Sequence, residues 1–268
     1  MPQKYFLIDG VATFVHHTGA TTLPGVAPAS GAGEAIVCLH GAGGNGDQFA
    51  ALLAKLADRH SPIAFDQPGH GRSAGLDSLG SVERMAAFAA AFCAKLGLER
   101  PVLLGHGLGA AVALEYALEH PDGVRALVLC SHGARSELGA AEVDHMRRVS
   151  EGKERRPFSK DLFAPDCSPE LLRAGFMQGL KTDPRATYGD LRAATGWSAE
   201  DRLGNVSPPV LVVRGEHERE GVVALTDALA AGIAGARTVT LPGAGHMLPL
   251  EQPEALAAAV CDFLAEPS

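Results

Sequence analysis

Residues 102–109 read Val-Leu-Leu-Gly-His-Gly-Leu-Gly, and an Ala-rich run follows them as far as Glu119. The apolar start indicates a short buried strand, and the Ala-rich run has the length and composition of a helix. Glycines at alternate positions let the backbone turn sharply between the two. The stretch therefore predicts a strand, a tight turn and a helix, with Gly107 at the tip of the turn.

The same alternation of β-rich and helical runs extends along most of the chain. Residues 4–9 and 11–16 flank Asp9-Gly10, a dipeptide that is typical of a tight hairpin turn. Ser81 is suited to begin a helix and Gly97 to follow its end. Further strands are predicted at 35–39, 62–65, 126–130, 210–213 and 238–241, and helices at 45–60, 81–96, 108–119, 221–234 and 253–264. Strands alternating with helices predict a doubly wound α/β domain with a mostly parallel sheet.

Residues 134–206 interrupt this alternation. The segment is charged, is punctuated by prolines and has no clear strand. Ligands of open α/β sheets bind beyond the carboxyl ends of the strands, so a helical insertion over that edge would form a lid. We therefore expect an α/β core at 1–133 and 207–268 and a helical lid at 134–206. Six large side chains of the lid indicate either an apolar or aromatic pocket or anchors on the core: Phe158, Phe163, Phe176, Met177, Tyr188 and Trp197.

Composition excludes several classes of protein. The 268 residues include 31 acidic and 23 basic side chains, for a net charge of −8, which argues against a nucleic-acid partner. No apolar run approaches the ~20 residues needed to cross a bilayer, and the N-terminus lacks the features of a signal peptide. The five cysteines include no CxxC pair. We expect a cytoplasmic protein with no membrane partner.

Two more glycine-rich segments follow predicted strands. They are His40-Gly-Ala-Gly-Gly44 and Gly243-Ala-Gly-His246, and they should meet residues 105–109 at one edge of the sheet. In these three segments the chain resembles the α/β-hydrolase superfamily. The resemblance extends to Asp66-Gln-Pro-Gly-His-Gly-Arg-Ser73, to residues 209–218 and to residues 246–253, and so covers nearly the whole chain.

The resemblance also exposes a departure. In that family the turn between strand and helix reads Gly-x-Ser-x-Gly, and its serine is the nucleophile. Gly107 stands at the position of the serine, and without a side-chain oxygen no acyl-enzyme can form there. We expect a chain that is inactive or weak as a serine hydrolase but correctly folded, because glycine tolerates a strained turn. Two origins are compatible with the sequence: a natural serine-less form and an inactivating substitution.

The resemblance implies roles for the other members of the site. His246 takes the position of the general base, since an imidazole can accept a proton and return it to a leaving group. Glu218 takes the position of the acid that orients the histidine, with Glu216 as the competing carboxylate. The backbone amides of Ala42 and Leu108 are implied as the oxyanion hole.

Other polar residues receive smaller roles. Ser131-His132-Gly133 follows a strand but offers no carboxylate, and Ser131 is a minor candidate for a displaced nucleophile. His40 and His106 are expected to support loops. The charged run 147–156 is interpreted as a solvated helix face, with anion attraction as the alternative.

Three functions follow as hypotheses. The first is a cofactor-free hydrolase that acts on an ester, lactone or C–C bond of a small apolar or aromatic substrate. The second is a histidine-based enzyme on the same fold, which activates water or deprotonates the substrate in a lyase or oxygenase reaction. The third is a non-catalytic ligand-binding protein, since one fold hosts many functions.

No cofactor or metal site is expected. The histidines show no metal-ligand spacing, and neither a P-loop nor a dinucleotide fingerprint is present. The expected partner is a small-molecule substrate, and homo-oligomerisation is left open.

Overall fold

A computed structural model describes residues 3–20, 22–23, 25–28 and 31–266. The strands are β1 (Gln3–Ile8), β2 (Val11–His17), β3 (Ala35–Leu39), β4 (Ser61–Phe65), β5 (Val102–His106), β6 (Ala126–Cys130), β7 (Val210–Gly215) and β8 (Arg237–Leu241). The α-helices are α1 (Ala50–Leu56), α2 (Val82–Leu96), α3 (Leu108–Glu119), α4 (Ala140–Ser150), α5 (Pro169–Gly179), α6 (Pro184–Thr195), α7 (Glu220–Gly232), α8 (Leu248–Glu251) and α9 (Pro253–Ala265).

The described strands form one eight-stranded sheet in the order β1-β2-β4-β3-β5-β6-β7-β8. The pairs β1–β2 and β2–β4 are antiparallel, and all the other neighbouring pairs are parallel. The predicted α/β class with a mostly parallel sheet is therefore confirmed. Because β3 and β5 to β8 run in one direction, their carboxyl ends share one edge, and the loops that follow them can meet there.

Alternation along each strand divides the core into two layers. Val37 and Leu39 pack on one face of the sheet, and Ile36 and Cys38 pack on the other. Helices cover both faces of the central strands, so almost all successive residues of β3 to β7 are buried. This is why the central strands appear in the sequence as continuous apolar runs.

The observed boundaries differ from the predicted ones mainly at the ends. Ser81 accepts a hydrogen bond from Arg84 N at the start of α2, as expected for an N-cap. In place of the predicted helix 45–60, the structure has the shorter helix α1, preceded by a 3-10 turn, Gly46–Phe49. The Asn45 side chain caps that turn. Within the described ranges, none of the helices combines the length and the apolar character that crossing a bilayer requires.

Residues 134–206 contain three α-helices, α4 to α6, and two 3-10 turns, Lys160–Leu162 and Glu200–Asn205. One isolated bridge pairs Arg135 with Ser198. That this segment forms a lid stays a prediction. Trp197 joins the segment to the core, because its Nε1–H donates to Glu115 Oε2 on α3 at 2.7 Å. Both side chains are nearly fully buried.

Candidate active site

A cavity of about 330 Å³ lies between the carboxyl edge of the sheet and the segment 134–206. The sheet side is formed by the loops that follow β3, β5, β6 and β8 and by the start of α7. The other side includes Phe158 and Phe163 from the six large side chains named above, whereas the remaining four lie outside the lining. Residues 134–206 therefore supply part of an apolar wall.

Gly107 forms the turn between β5 and α3. Its backbone angles, φ 55° and ψ −125°, lie in a region that residues other than glycine rarely adopt. The flanking positions require glycine for a different reason, namely close backbone contact. A Cβ on Gly105 would lie 2.2 Å from Gly109 O, and a Cβ on Gly109 would lie 2.0 Å from Leu39 O. The Gly-x-Gly-x-Gly pattern thus reflects one strained turn and two close backbone contacts.

The space above Gly107 is open towards a histidine. A Cβ built on Gly107 would lie 3.8 Å from His246 Nε2 and 3.7 Å from Gly41 Cα, and no other non-neighbouring atom of the described residues would come within 4 Å. Both contacts are ordinary van der Waals distances. The turn therefore has room for a small group in hydrogen-bonding reach of the imidazole.

The imidazole of His246 is oriented by Glu218. The ring Nδ1 lies 3.0 Å and 3.1 Å from the two carboxylate oxygens, so Nδ1–H donates to Glu218 and Nε2 carries the lone pair. Burial raises the pKa of Glu218, but the hydrogen bond and charge of His246 outweigh it, and the pKa is lowered to about 2. The side chain of Glu218 is fully buried, whereas that of His246 is 13% exposed. The buried carboxylate holds the imidazole ring in the orientation that a general base requires.

The competing residues lie elsewhere. Glu216 is exposed and accepts a hydrogen bond from Gly243 N at 2.9 Å, so it supports the loop and does not contact the imidazole. The single O–H of Ser131 is shared between two acceptors, the carbonyl oxygen of His246 at 3.2 Å from Oγ and the carboxylate of Glu218. The hydroxyl of Ser131 is thus bonded to the acid and to the backbone, and not to Nε2.

Two residues with unpaired backbone amides line the cavity. Leu108 opens α3 directly after Gly107, and Ala42 lies in the loop after β3. Among the described residues, no protein group accepts a hydrogen bond from either amide. Unpaired N–H groups, one of them at a helix N-terminus, favour a developing negative charge.

Three further histidines near the site are neutral. Burial lowers the pKa of His106 to about 3 and those of His40 and His132 to about 4. His106 Nε2 donates to the carbonyl of His246 at 2.9 Å, and His40 Nε2 accepts from Gln67 N at 3.0 Å. His40 and His106 therefore support loops, as the sequence predicted.

The loop that carries His246 is fixed by residues whose roles the sequence did not reveal. Glu251 accepts hydrogen bonds from Gly245 N and Met247 N, both in this loop, and from Ala164 N in the segment 134–206. The carbonyl of Leu162 accepts from His246 N at 2.9 Å. The one sequence feature that could have indicated the role of Glu251 is its position in the stretch 246–253, which resembles the family.

The loop after β3 is held in a similar way. Asp190 on α6 accepts a hydrogen bond from Gly43 N at 2.8 Å and contacts His70 Nε2 at 2.7 Å. Burial alone lowers the pKa of His70, but the charge and hydrogen bond of Asp190 outweigh it and raise the net pKa. This buried pair joins α6 to the loop that contains Ala42.

The interpretation of run 147–156 as a solvated face requires one correction. Arg147 and Arg148 form surface ion pairs with nearby acidic residues of the same segment, as expected. Arg156 instead lines the cavity and is half-buried, because Thr182 and Thr187 hold its guanidinium against α6. Arg219, directly after Glu218, also lines the cavity, and nothing in its sequence context indicated this.

Comparison with known proteins agrees with the fold. The chain is 29% identical over 232 residues to the dihydrolipoyllysine-residue acetyltransferase component of the acetoin cleaving system of Cupriavidus necator, covering 83% of this chain and 61% of that protein. It is 27% identical to the 2-(acetamidomethylene)succinate hydrolase of Mesorhizobium japonicum, covering 87% of this chain and 89% of the relative. The enol-lactonase structure from Burkholderia xenovorans LB400 superposes with a TM-score of 0.82 at 22% identity, covering 98% of this chain and 100% of that one.

The family is shown by a sequence profile. The profile of the alpha/beta hydrolase family matches residues 36–259, which is most of the chain. The matched range begins in β3 and ends in α9, so it contains the turn at Gly107, the loop of Glu218 and the loop of His246. The protein belongs to the alpha/beta hydrolase family.

Proposed function

We propose that the protein is a cofactor-free hydrolase that cleaves an ester or lactone of a small substrate with an apolar or aromatic body, using a water molecule in place of a serine. The observation that carries the proposal is the open space above Gly107, which places any small group there within reach of the lone pair on His246 Nε2. The presence of a hydrolase among the relatives supports the same reaction class.

The proposed reaction uses the groups of the cavity in sequence. His246 Nε2 takes a proton as the water oxygen attacks the carbonyl carbon, and the imidazolium is stabilised by Glu218. The electron pair of the C=O bond moves to oxygen, which accepts hydrogen bonds from Ala42 N and Leu108 N. When the intermediate collapses, the leaving alkoxide takes the proton from Nε2. The products are a carboxylic acid and an alcohol, without a covalent enzyme intermediate.

The test compares Gly107→Ala with Gly107→Ser. Both variants carry the backbone cost of a side chain at this turn, about 1–3 kcal/mol. The alanine methyl occupies the space for water and supplies no nucleophile, so we expect hydrolysis to fall by about tenfold or more. The serine hydroxyl extends from the same Cβ towards His246 Nε2, so we expect that variant to acquire covalent reactivity with a fluorophosphonate.

Turnover is measured on p-nitrophenyl acetate, p-nitrophenyl phenylacetate and dihydrocoumarin, and the adduct by mass spectrometry. Hydrolysis that is equal in the unmodified chain and in Gly107→Ala would contradict water attack above Gly107. Reactivity of Gly107→Ser without any hydrolysis by the unmodified chain would indicate an inactivated serine hydrolase. If neither the unmodified chain nor Gly107→Ser showed hydrolysis or fluorophosphonate reactivity, the result would favour a ligand-binding protein.

A further inference from the structure

Three arginines line the cavity, and they differ in their partners. Arg219 Nη1 lies 2.6 Å from Glu137 Oε1, and Arg135 Nε lies 3.1 Å from Glu200 Oε1. Arg156 lies within ion-pair distance of no carboxylate among the described residues. The cavity therefore contains one guanidinium whose charge the protein does not neutralise by contact.

The hydrogen bonds of Arg156 leave much of its donor capacity unused. Nη1 donates to Thr182 O at 2.7 Å and Nη2 to Thr187 Oγ1 at 2.5 Å. Both acceptors are neutral, and a guanidinium has five N–H groups, so three of them have no protein acceptor within the described ranges. The two threonine contacts fix the planar group, and its remaining edge is available to a ligand.

Burial makes this arrangement costly in the absence of an anion. The side chain is half-buried, and burial lowers the pKa of Arg156, an effect that Asp183 offsets only in part. A desolvated cation without a counterion opposes folding, and such groups concentrate at binding sites. Removing this cost requires an anion that enters the cavity.

The position of Arg156 relates that anion to the proposed chemistry. A Cβ on Gly43 would lie 3.3 Å from Arg156 Nη2, so the guanidinium lies over the loop after β3. Gly43 directly follows Ala42, whose amide is the proposed oxyanion donor. A carbonyl at Ala42 and an anion at Arg156 would thus belong to the same small molecule.

The wall formed by residues 134–206 combines apolar and polar side chains, and its apolar part includes Met146, Leu162, Phe163 and Leu191. The other charged side chains of this wall, Arg135 and Glu137, are already paired. A single unpaired guanidinium matches a single planar anion, because its fork fits the two oxygens of a carboxylate. A dianion such as a phosphate monoester would require a second free cation.

We propose that Arg156 binds a carboxylate of the substrate, so that the protein acts on carbonyl compounds that carry a carboxylate on a small apolar body. The identification of this anion as a substrate rests on the proposed function, whereas its binding does not. The site is thereby assigned a substrate class that includes half-esters and lactone acids.

Binding is tested without turnover, by calorimetry with two matched pairs of probes. The pairs are 3-phenylpropanoate with 3-phenylpropanamide, and hexanoate with hexanamide. We expect the unmodified chain to bind each carboxylate about tenfold or more tightly than its amide, and Arg156→Gln to lose that preference. Arg155→Gln is the matched control, because Arg155 is the exposed neighbour outside the cavity lining and carries the same charge.

Arg156→Lys provides a second variant that keeps the charge and removes the fork, so we expect a reduced preference. If Arg156→Gln does not fold, the preference of Arg156→Lys for acid over amide tests the proposal. Equal binding of acid and amide by the unmodified chain would overturn the proposal, as would an unchanged preference in the Arg156 variants. Because no turnover is measured, a failure of water attack above Gly107 would leave a positive binding result intact.

Discussion

The two walls of the cavity are built differently. The wall formed by the sheet loops carries the proposed catalytic groups, namely His246, Glu218 and the two free amides, each within five residues of the end of a strand. The wall formed by residues 134–206 combines apolar and polar side chains and contributes Arg156 as its unpaired charge. The proposed roles divide in the same way, with the proposed chemistry in the sheet loops and the proposed carboxylate site in residues 134–206.

The two walls are joined by buried polar contacts. Asp190 connects α6 to Gly43 and His70, and Trp197 connects to Glu115. Substitutions in the sheet loops should therefore affect turnover more than stability. Substitutions in the connecting contacts should lower stability first.

The strongest test of this division is His246→Ala. Removing the general base should lower kcat/KM on the ester panel by a factor of about 10²–10⁴, with the fold unchanged. His217→Ala is the control, because that imidazole lies on the loop of Glu218 and is 42% exposed. Full activity in His246→Ala would contradict the assignment of chemistry to the sheet loops.

Glu218→Gln should have the next largest effect. Loss of the acid should lower kcat by about 10–10³-fold, since the orienting acid contributes less than the base, and Glu216→Gln should leave kcat unchanged. The variant should also change acid unfolding. The pKa of Glu218 is lowered to about 2, so its contribution to stability is present above its ordinary value of 4.5 and is lost as the pH falls through about 2.

Acid titration followed by circular dichroism measures this second effect. The difference in stability between the unmodified chain and Glu218→Gln should shrink as the pH falls from 4.5 towards 2. An acid-independent difference would show that Glu218 is not ionised in the folded chain.

Asp190→Asn tests the contact between the walls. The asparagine keeps an acceptor for Gly43 N but removes the charge beside His70, so we expect a loss of about 2–3 kcal/mol of unfolding free energy. Because the pKa of His70 is raised in the folded chain, its stabilising contribution is present below its ordinary value of 6.5 and is lost as the pH rises through the raised value.

Urea unfolding at pH 6 and at pH 9 measures this dependence. The cost of Asp190→Asn should be greater at pH 6 than at pH 9. A cost that does not depend on pH would mean that the contact between Asp190 and His70 is a neutral hydrogen bond.

Trp197→Phe should have the smallest effect. It removes the hydrogen bond to Glu115, while Arg202 still bonds both oxygens of that carboxylate at 2.9 Å and 2.7 Å. We expect a loss of about 1–2 kcal/mol in urea unfolding, with hydrolysis unchanged. Tyr188→Phe serves as the control. If Trp197→Phe lost as much unfolding free energy as Asp190→Asn, the expected order of the two effects would be wrong.

The sheet wall was predictable from the sequence because each of its motifs follows a strand. The position of a residue after β5, β7 or β8 places it at the shared carboxyl edge, so Gly107, Glu218 and His246 could be expected to meet there. The spacing could not separate Glu218 from Glu216, since both follow β7 and only the path of the loop decides which one is buried.

The other wall was predictable only in outline. A helical segment could be expected at 134–206, but no strand fixes the register of its side chains relative to the cavity. The run containing Arg156 was therefore interpreted as a solvated face, with anion attraction as the alternative, and Asp190 received no predicted role. Their positions depend on how α6 packs against the loop after β3, which is a long-range contact that local patterns do not encode.

The hydrogen bonds around Leu162 and Glu251 have a consequence for ligand entry. His246 N donates to the carbonyl of Leu162, and Ala164 N donates to Glu251, whose carboxylate also accepts from Gly245 N and Met247 N. Residues 162–164 are therefore fixed to the loop that carries the imidazole. Helix α5 has no buried residue and exposes Phe176 and Met177. We therefore expect a substrate to reach His246 from the side of α5 and not past residues 162–164, where entry would displace the proton acceptor.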